Sequence, residues 1–198
     1  MKTLSKITLA AAALTLLGIA AATPHGHEAQ DHGGKHSEAR WKTIVIDVAE
    51  DARTASVNTA SPTDTGPKRG ATAISNGKIY PGGTIPAGDG LDIDTLTGSI
   101  GNWITRHTLN FDASQIVAGA HPALSSTEYY LFTRTGVSDG EEALFSEGPE
   151  FGATTHRVVL GGTGRYRGVI GEVQEETLGS NSTGFANKRF TFTIRSPE

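Results

Sequence analysis

A glycine-rich stretch at residues 161–168, with the sequence GGTGRYRG, constrains the fold more than any other part of the chain. The residues on either side of it, 153–160 and 169–174, are rich in valine and threonine and have the composition of β-strands. Four glycines in eight residues are typical of a tight reversal with positive φ angles. The stretch therefore predicts a hairpin between two antiparallel strands.

The same glycines do not fit a phosphate-binding loop. The spacing of Gly162, Gly164 and Gly168 differs from the G-x-G-x-x-G motif, and a strand rather than a helix follows. No GK[ST] sequence completes a P-loop either. We interpret the stretch as a structural turn.

Other parts of the chain also alternate between apolar and polar residues, or are rich in β-branched and aromatic residues, as strands are. The predicted strands lie near residues 43–48, 71–74, 102–111, 129–135, 143–146, 153–160, 169–174 and 186–195. No convincing amphipathic helix interrupts them. Eight strands in sequential order predict an all-β protein, an eight-stranded antiparallel β-barrel, because closure removes the exposed edges.

Local composition also predicts where these strands are separated. Residues 50–68 and 81–90 are expected to be long loops, and the pairs Asn76-Gly77 and Gly148-Pro149 are expected to be turns. The run at residues 43–48 is apolar on both faces. We expect one face to line the barrel and the other to be covered by a loop or another subunit.

Several segments together resemble the dirigent and allene oxide cyclase superfamily. They are residues 151–156, 161–168 and 187–194, and, for bacterial cyclase-like members, residues 69–72, 77–84 and 98–101. The resemblance extends from Trp41 to Arg195 and implies a calycin-like barrel, a homotrimer and chemistry without a cofactor on a reactive, mostly apolar intermediate. Upstream of Phe151 the chain departs from the plant patterns, so no catalytic residue is assigned by motif.

The N-terminus has the three parts of a secretory signal peptide. Lys2 and Lys6 precede an apolar run at residues 7–22 that ends in three alanines. The run is shorter than the roughly 20 residues that a spanning helix needs. We expect residues 1–22 to be removed, leaving a secreted or periplasmic protein without a membrane span.

Residues 23–40 are predicted to be a flexible, histidine-rich leader, and residues 41–198 to be the barrel domain. The leader contains His25, His27, His32 and His36. Imidazoles at such spacing can bind transition metals weakly, but no H-x-x-H motif or cysteine fixes their geometry. We favour a solvated leader over a metal site.

Composition excludes several other classes of function. The formal net charge of −4 does not suggest a nucleic-acid-binding surface, and the absence of cysteine excludes disulfides, a lipoprotein anchor and a thiol nucleophile. The sequence has no G-x-S-x-G motif and predicts no metal or cofactor. Residues 181–183 form a glycosylation sequon, which has meaning only in a eukaryotic host.

An eight-stranded barrel can hold one small ligand, so candidate site residues are polar ones that point inward. The alternatives along the strands are His107 or Arg106, Tyr130 or Arg134, His156 or Arg157, and Glu172 or Glu175. We favour as catalytic residues His107, Tyr130, Arg134, His156 and Glu172, because burial shifts pKa values toward those useful in proton transfer. Each could instead be a hydrogen-bonded structural group or point outward, and a register error of one residue exchanges the two sets.

Two hypotheses follow. The first is a cofactor-independent isomerase or cyclase that directs the cyclisation or stereoselective coupling of a hydrophobic small molecule in the lumen. It predicts a lumen wide enough for the ligand, with convergent polar groups. The second is a non-catalytic barrel that binds a small molecule or assembles on the cell envelope. It predicts a lumen that is filled by side chains or purely apolar.

Overall fold

The computed structural model describes residues 40–58, 68–133 and 142–196. These residues form a closed barrel of eight strands, each antiparallel to its neighbours in the chain. The strands are β1 Lys42–Asn58, β2 Thr72–Pro81, β3 Gly101–Leu109, β4 Leu124–Phe132, β5 Glu142–Glu150, β6 Thr154–Gly162, β7 Ile170–Ser180 and β8 Ala186–Arg195. The connections contain the 3-10 helices Ile93–Thr95 and Gly164–Tyr166 and one α-helix, α1 Ala113–Val117. The predicted eight-stranded antiparallel barrel is confirmed.

The predicted signal peptide at residues 1–22, and residues 23–39 of the histidine-rich leader, lie outside the described residues. Export and the state of the leader stay predictions. Within the ranges that the structure describes, no helix has the length and apolar character needed to cross a membrane.

Two predicted turns are wrong, because their glycines serve close approach inside the sheet. The pair Asn76-Gly77 lies within β2, where a Cβ atom at Gly77 would stand only 2.6 Å from the carbonyl oxygen of Ala49 on β1. Gly148 lies within β5, where a Cβ atom would stand 3.0 Å from Cγ of Arg157. Glycine at both positions makes room for a neighbour rather than reversing the chain.

The expected loop at residues 50–68 is also partly wrong, since β1 continues to Asn58. Beyond Glu50 the strand pairs with β2 through an irregularity between Asp51 and Ser56. The polar composition of residues 50–58 was the reason for predicting a loop. The side chains in this half of β1 can be polar because this part of the strand is exposed to solvent.

The glycine-rich stretch connects β6 to β7 as predicted. Gly164 and Gly168 have φ angles of 56° and 71°, which favour glycine. Tyr166 turns back from this loop and is buried, with its ring centroid 5.3 Å from that of Phe132 and the Arg165 guanidinium 5.0 Å from its ring centroid. The loop thus closes one end of the barrel, which we call the apolar end.

Aromatic side chains fill the half of the lumen next to the apolar end. Trp103, Tyr130, Phe190 and Phe192 are fully buried there. The ring centroid of Tyr130 is 5.2 Å from that of Phe190 and 4.8 Å from that of Phe192, and the ring planes are nearly perpendicular in both pairs. This half is a packed core, so a ligand that enters the lumen contacts the opposite end.

Residues 82–100, which we call the strap, cross the outside of β1. Ile85 of the strap is fully buried and packs in a cluster with Ala49, Tyr80 and Leu178. The carboxylate of Asp47 accepts hydrogen bonds from the Ile85 amide and from Arg189 Nε, both at 2.8 Å. The covering of the outer face of β1, predicted as a loop or another subunit, is therefore a loop.

Candidate functional site

The other end of the lumen, which we call the polar end, is lined by ionisable side chains. Four carboxylates and two cations point inward there: Glu50, Glu128, Glu150, Glu175, Arg157 and Lys188. They converge because β1, β5 and β7 run toward this end whereas β4, β6 and β8 begin at it. Antiparallel order thus brings charges from six strands to one level of the barrel.

Arg157 lies at the centre of this group and its side chain is fully buried. Its Nη2 atom is 2.9 Å from Glu128 Oε1, donates to Glu175 and is 3.6 Å from Glu150 Oε1. Burial acts to lower the pKa of Arg157, but the carboxylates of Glu128 and Glu175 outweigh it and raise the pKa. Nε and Nη1 of Arg157 are buried without a hydrogen-bond partner among the described residues.

Glu128 is the carboxylate whose pKa is displaced toward neutrality. It is fully buried, and this burial raises its pKa to about 7 although the positive charge of Arg157 acts in the opposite direction. The Tyr130 hydroxyl donates to Glu128 and lies 3.2 Å from Ser146 Oγ. Burial and the Glu128 charge raise the pKa of Tyr130 as well, so Tyr130 stays a proton donor. Glu128 can therefore gain or lose a proton near neutral pH.

His107 and Glu150 form a pair that is nearer to solvent, with side chains 13% and 19% exposed. His107 Nδ1 is 3.0 Å from Glu150 Oε1 and 2.9 Å from Ser126 Oγ. The Ser126 hydroxyl also donates to Glu150. Burial would raise the pKa of Glu150, but the hydrogen bond and charge of His107 hold it well below its usual range. Because serine and carboxylate both approach the same imidazole nitrogen, this is not the arrangement of a hydrolase triad.

Lys188 connects the remaining carboxylates. Its Nζ atom is 3.0 Å from Glu175 Oε1, 3.6 Å from Glu50 Oε2 and 5.0 Å from the ring centroid of Trp103. Burial acts to lower the pKa of Lys188, whereas the Glu175 and Glu50 charges raise it above its usual value. The Ser75 hydroxyl donates to Glu50. Lys188 therefore remains a cation and is not a nucleophilic amine.

Comparison with known proteins identifies this architecture. No protein-family model matches the sequence, and no curated protein matches it either. The solved structure of the pterocarpan synthase dirigent protein PsPTS1 matches 82% of this chain and 99% of its own, with 11% identity and a TM-score of 0.57. The dirigent protein GePTS1 matches 80% and 92%, with 10% identity and a TM-score of 0.55. The chain has the dirigent fold.

A further structure is less alike. The Diels Alderase AbmU from Streptomyces koyangensis matches 81% of this chain and 70% of its own, with 15% identity and a TM-score of 0.48. The two dirigent proteins are the matches that establish the fold of this barrel. The resemblance inferred from the sequence is confirmed at the level of the fold.

Two of the five predicted site residues point into the lumen, His107 from β3 and Tyr130 from β4. His107 lies at the polar end, whereas the Tyr130 ring packs in the apolar half and only its hydroxyl reaches the polar end. Arg134 lies outside the described residues. His156 and Glu172 are exposed and point outward, so the expected shared face is not observed for them. Whether any of the five is catalytic stays a prediction.

The outward position of His156 and Glu172 follows from the phase of their strands. On β6 the buried positions are Thr155, Arg157 and Val159, so the alternative candidate Arg157 is the inward residue. On β7 the inward residue is the alternative candidate Glu175. Alternation has a period of two residues, and the choice between the two phases depends on contacts distant in sequence.

Several inward ionisable residues were not among the sequence candidates. They are Glu50, Glu128, Glu150 and Lys188. A signal was available for two of them: Glu128 precedes Tyr130 by two residues and Lys188 precedes Phe190 by two, so each shares a face with a core aromatic residue. Glu150 was hidden by the turn expected at Gly148-Pro149.

Three of the carboxylates could in principle hold a hard cation. Oxygen atoms of Glu128, Glu150 and Glu175 lie within 4.8 Å of one another. The Arg157 guanidinium, however, contacts or approaches all three. The protein thus supplies its own cation at the point where a metal ion would bind, and we assign no metal to the group.

Proposed function

We propose that this protein binds a small, largely apolar molecule at the polar end of its lumen and directs the cyclisation or stereoselective coupling of that molecule without a cofactor. The observation that carries the proposal is the convergence of ionisable side chains at one end of a barrel with the dirigent fold. The proposal rests on confinement and orientation, assisted by charges and proton transfer.

The charges favour a substrate that develops positive charge during the reaction. Four carboxylates face two permanent cations, Arg157 and Lys188, and the pKa of one carboxylate, Glu128, is raised to about 7. These six groups therefore carry a net negative charge, which stays negative when Glu128 is protonated. Fixed carboxylates stabilise a developing cation more than the neutral ground state. A benzylic, allylic or oxocarbenium-like intermediate fits this field better than an enolate does.

Proton transfer is supplied by the pair nearest to solvent. Because His107 and Glu150 are partly exposed, a ligand at the mouth can reach them without rearrangement of the core. His107 can accept a proton from a substrate hydroxyl group or from a carbon next to the cation, whereas Glu150, whose pKa is held well below its usual range, orients the imidazole through Nδ1. Nε and Nη1 of Arg157 have no hydrogen-bond partner among the described residues, and they can donate to a substrate oxygen.

The non-catalytic alternative also has an observation in its favour. Trp103, Phe190 and Phe192 fill the apolar half, which reduces the space for a folded substrate in the lumen. A barrel that only binds a ligand needs apolar contact and a few hydrogen bonds, and the polar end offers hydrogen-bonding groups beside the aromatic core. The two functions differ in whether the bound molecule is converted.

Ligand capture tests the proposal first. The purified protein is incubated with an extract of the producing cells, and the molecules that co-purify are identified by mass spectrometry. The proposal expects an apolar molecule, such as a polyketide, a phenol or a hydroxylated fatty acid, with one reactive unsaturated centre. The captured molecule is then incubated with fresh protein, and chiral chromatography follows the product. A ligand that returns unchanged supports the binding protein.

Variants distinguish proton transfer from mere binding. His107→Gln is expected to lower the rate of product formation by about 100-fold, the lower range for loss of a general acid or base, and Glu150→Gln by a smaller factor, because it removes the group that orients the imidazole. His156→Gln is the matched control, since His156 is exposed on the outer face. Equal rates for the inner and outer histidine variants would contradict the assignment.

We further propose that the protein is exported and forms homotrimers. For assembly, the support lies on the outer faces of β6 and β7, where Val158, Leu160 and Ile170 are 56%, 57% and 49% exposed. Sedimentation analysis of the wild type and of Leu160→Glu tests assembly, with a trimer expected for the first and a smaller species for the second. N-terminal sequencing of protein recovered outside the cytoplasm tests cleavage before Thr23.

A further inference from the structure

A second concave site lies outside the barrel, between the strap and the outer faces of β2, β3 and β4. Its volume is about 740 Å³, and its apolar wall is formed by Tyr80, Leu96, Ile104 and Leu131. Sites for drug-sized molecules usually measure about 300–1,000 Å³. The groove lies outside the barrel, whereas the polar end lies inside it. None of the ionisable side chains of the polar end lines the groove.

One cation in this groove has no opposite charge. Lys78 Nζ donates to the neutral Oδ1 of Asn102 at 2.7 Å, and none of the described carboxylates pairs with it. Arg53 differs, because it makes bidentate contacts to both Asp51 and Asp94. The positive charge that the groove offers to a ligand is therefore that of Lys78.

A second hydrogen-bond donor lines the groove. Tyr80 is 3% exposed as a whole residue, and its hydroxyl is not among the buried side-chain atoms that lack a partner, so it reaches the surface of the groove. Burial raises the pKa of Tyr80, so the group remains a donor at neutral pH. A ligand oxygen in the groove can accept a hydrogen bond from this hydroxyl.

We propose that this groove binds a small amphipathic anion. An aromatic or short alkyl body packs on Leu96 and Ile104, and a carboxylate or sulfonate accepts hydrogen bonds from Lys78 and Tyr80. The Arg53–Asp94 ion pair, with Nη2 and Oδ1 2.8 Å apart, ties the strap to β1 and holds this wall of the groove in place. The site is separate from the lumen and does not depend on the proposed cyclisation.

Two fluorescent probes test the proposal on the full chain. The first is 1-anilinonaphthalene-8-sulfonate, which carries a sulfonate, and the second is N-phenyl-1-naphthylamine, which has nearly the same body without the charge. We expect Lys78→Gln to weaken binding of the anionic probe about tenfold, which is the usual effect of losing a charge-assisted contact. The affinity for the neutral probe should not change. Tyr80→Phe should weaken the anionic probe by a smaller factor. Arg106→Gln, an exposed cation on β3 outside the groove, is the matched control.

A third variant locates the binding. Ser99 lines the groove and is exposed, so Ser99→Trp should fill the entrance and abolish binding of both probes without disturbing the core. Circular dichroism confirms that each variant is folded. The proposal is overturned if the anionic probe does not bind, if Lys78→Gln and Arg106→Gln have the same effect, or if Ser99→Trp leaves both affinities unchanged.

Discussion

Removal of the central guanidinium should be among the most costly substitutions in the barrel. In Arg157→Met the carboxylates of Glu128 and Glu175 keep their burial but lose the cation that contacts both. Breaking a buried ion pair by removing one partner costs about 3–5 kcal/mol. For a domain of this size each kcal/mol corresponds to about 2–4 °C, so the melting temperature should fall by about 6–20 °C.

The assay is urea unfolding at two pH values. At pH 9, above the pKa of about 7 of Glu128, the full loss is expected, whereas near pH 5 the Glu128 carboxyl group left without its cation is protonated and the loss should shrink. Arg106→Met is the control, because Arg106 is exposed on the outer face of β3 and should cost less than about 0.5 kcal/mol. The double variant Arg157→Met with Glu128→Gln should recover part of the stability. A loss at pH 9 no larger than that of the control, or the same loss at both pH values, would refute the reasoning.

Three further predictions concern single side chains. The pKa of Glu128 rises from about 4.5 to about 7 on folding, so its contribution to stability is complete below pH 4.5 and is lost as the pH rises through 7. The stability of Glu128→Gln relative to the wild type should therefore improve between pH 4.5 and 7.5 in urea unfolding, and a difference independent of pH would count against the shift. Gly77→Ala places a methyl group 2.6 Å from the Ala49 carbonyl oxygen and should lower the free energy of unfolding by about 1–3 kcal/mol, whereas an unchanged value would disprove the close approach. Asn181, in the sequon, is 5% exposed, and its side-chain amide donates a hydrogen bond to the Glu50 carbonyl oxygen at 2.8 Å. Folded protein secreted from a eukaryotic host should therefore carry no glycan on Asn181. An intact mass that includes one glycan would contradict this prediction.

The barrel could be predicted because its evidence is local. Alternation along β3 and β8 and the glycine-rich reversal between β6 and β7 are properties of short segments, and strand order then follows because strands consecutive in sequence usually pair. The turn signals failed where a glycine has a tertiary role. Gly77 and Gly148 are glycines because a carbonyl oxygen of β1 and the Arg157 side chain occupy the space of a Cβ atom, and neither neighbour is close in sequence.

The composition of the polar end was harder to predict, because the inward phase of each strand is a tertiary property. A more informative sequence pattern is a charged residue placed two positions from an apolar one on the same strand. Glu50 follows Val48, Arg157 precedes Val159 and Glu175 follows Val173, and all six side chains are buried. When the direction of each strand is taken into account, the charged member of each pair lies at the polar end and the apolar member lies toward the apolar end. A barrel with a filled half and a charged half thus has a recognisable sequence pattern, and its site residues lie where the inward positions change from apolar to charged.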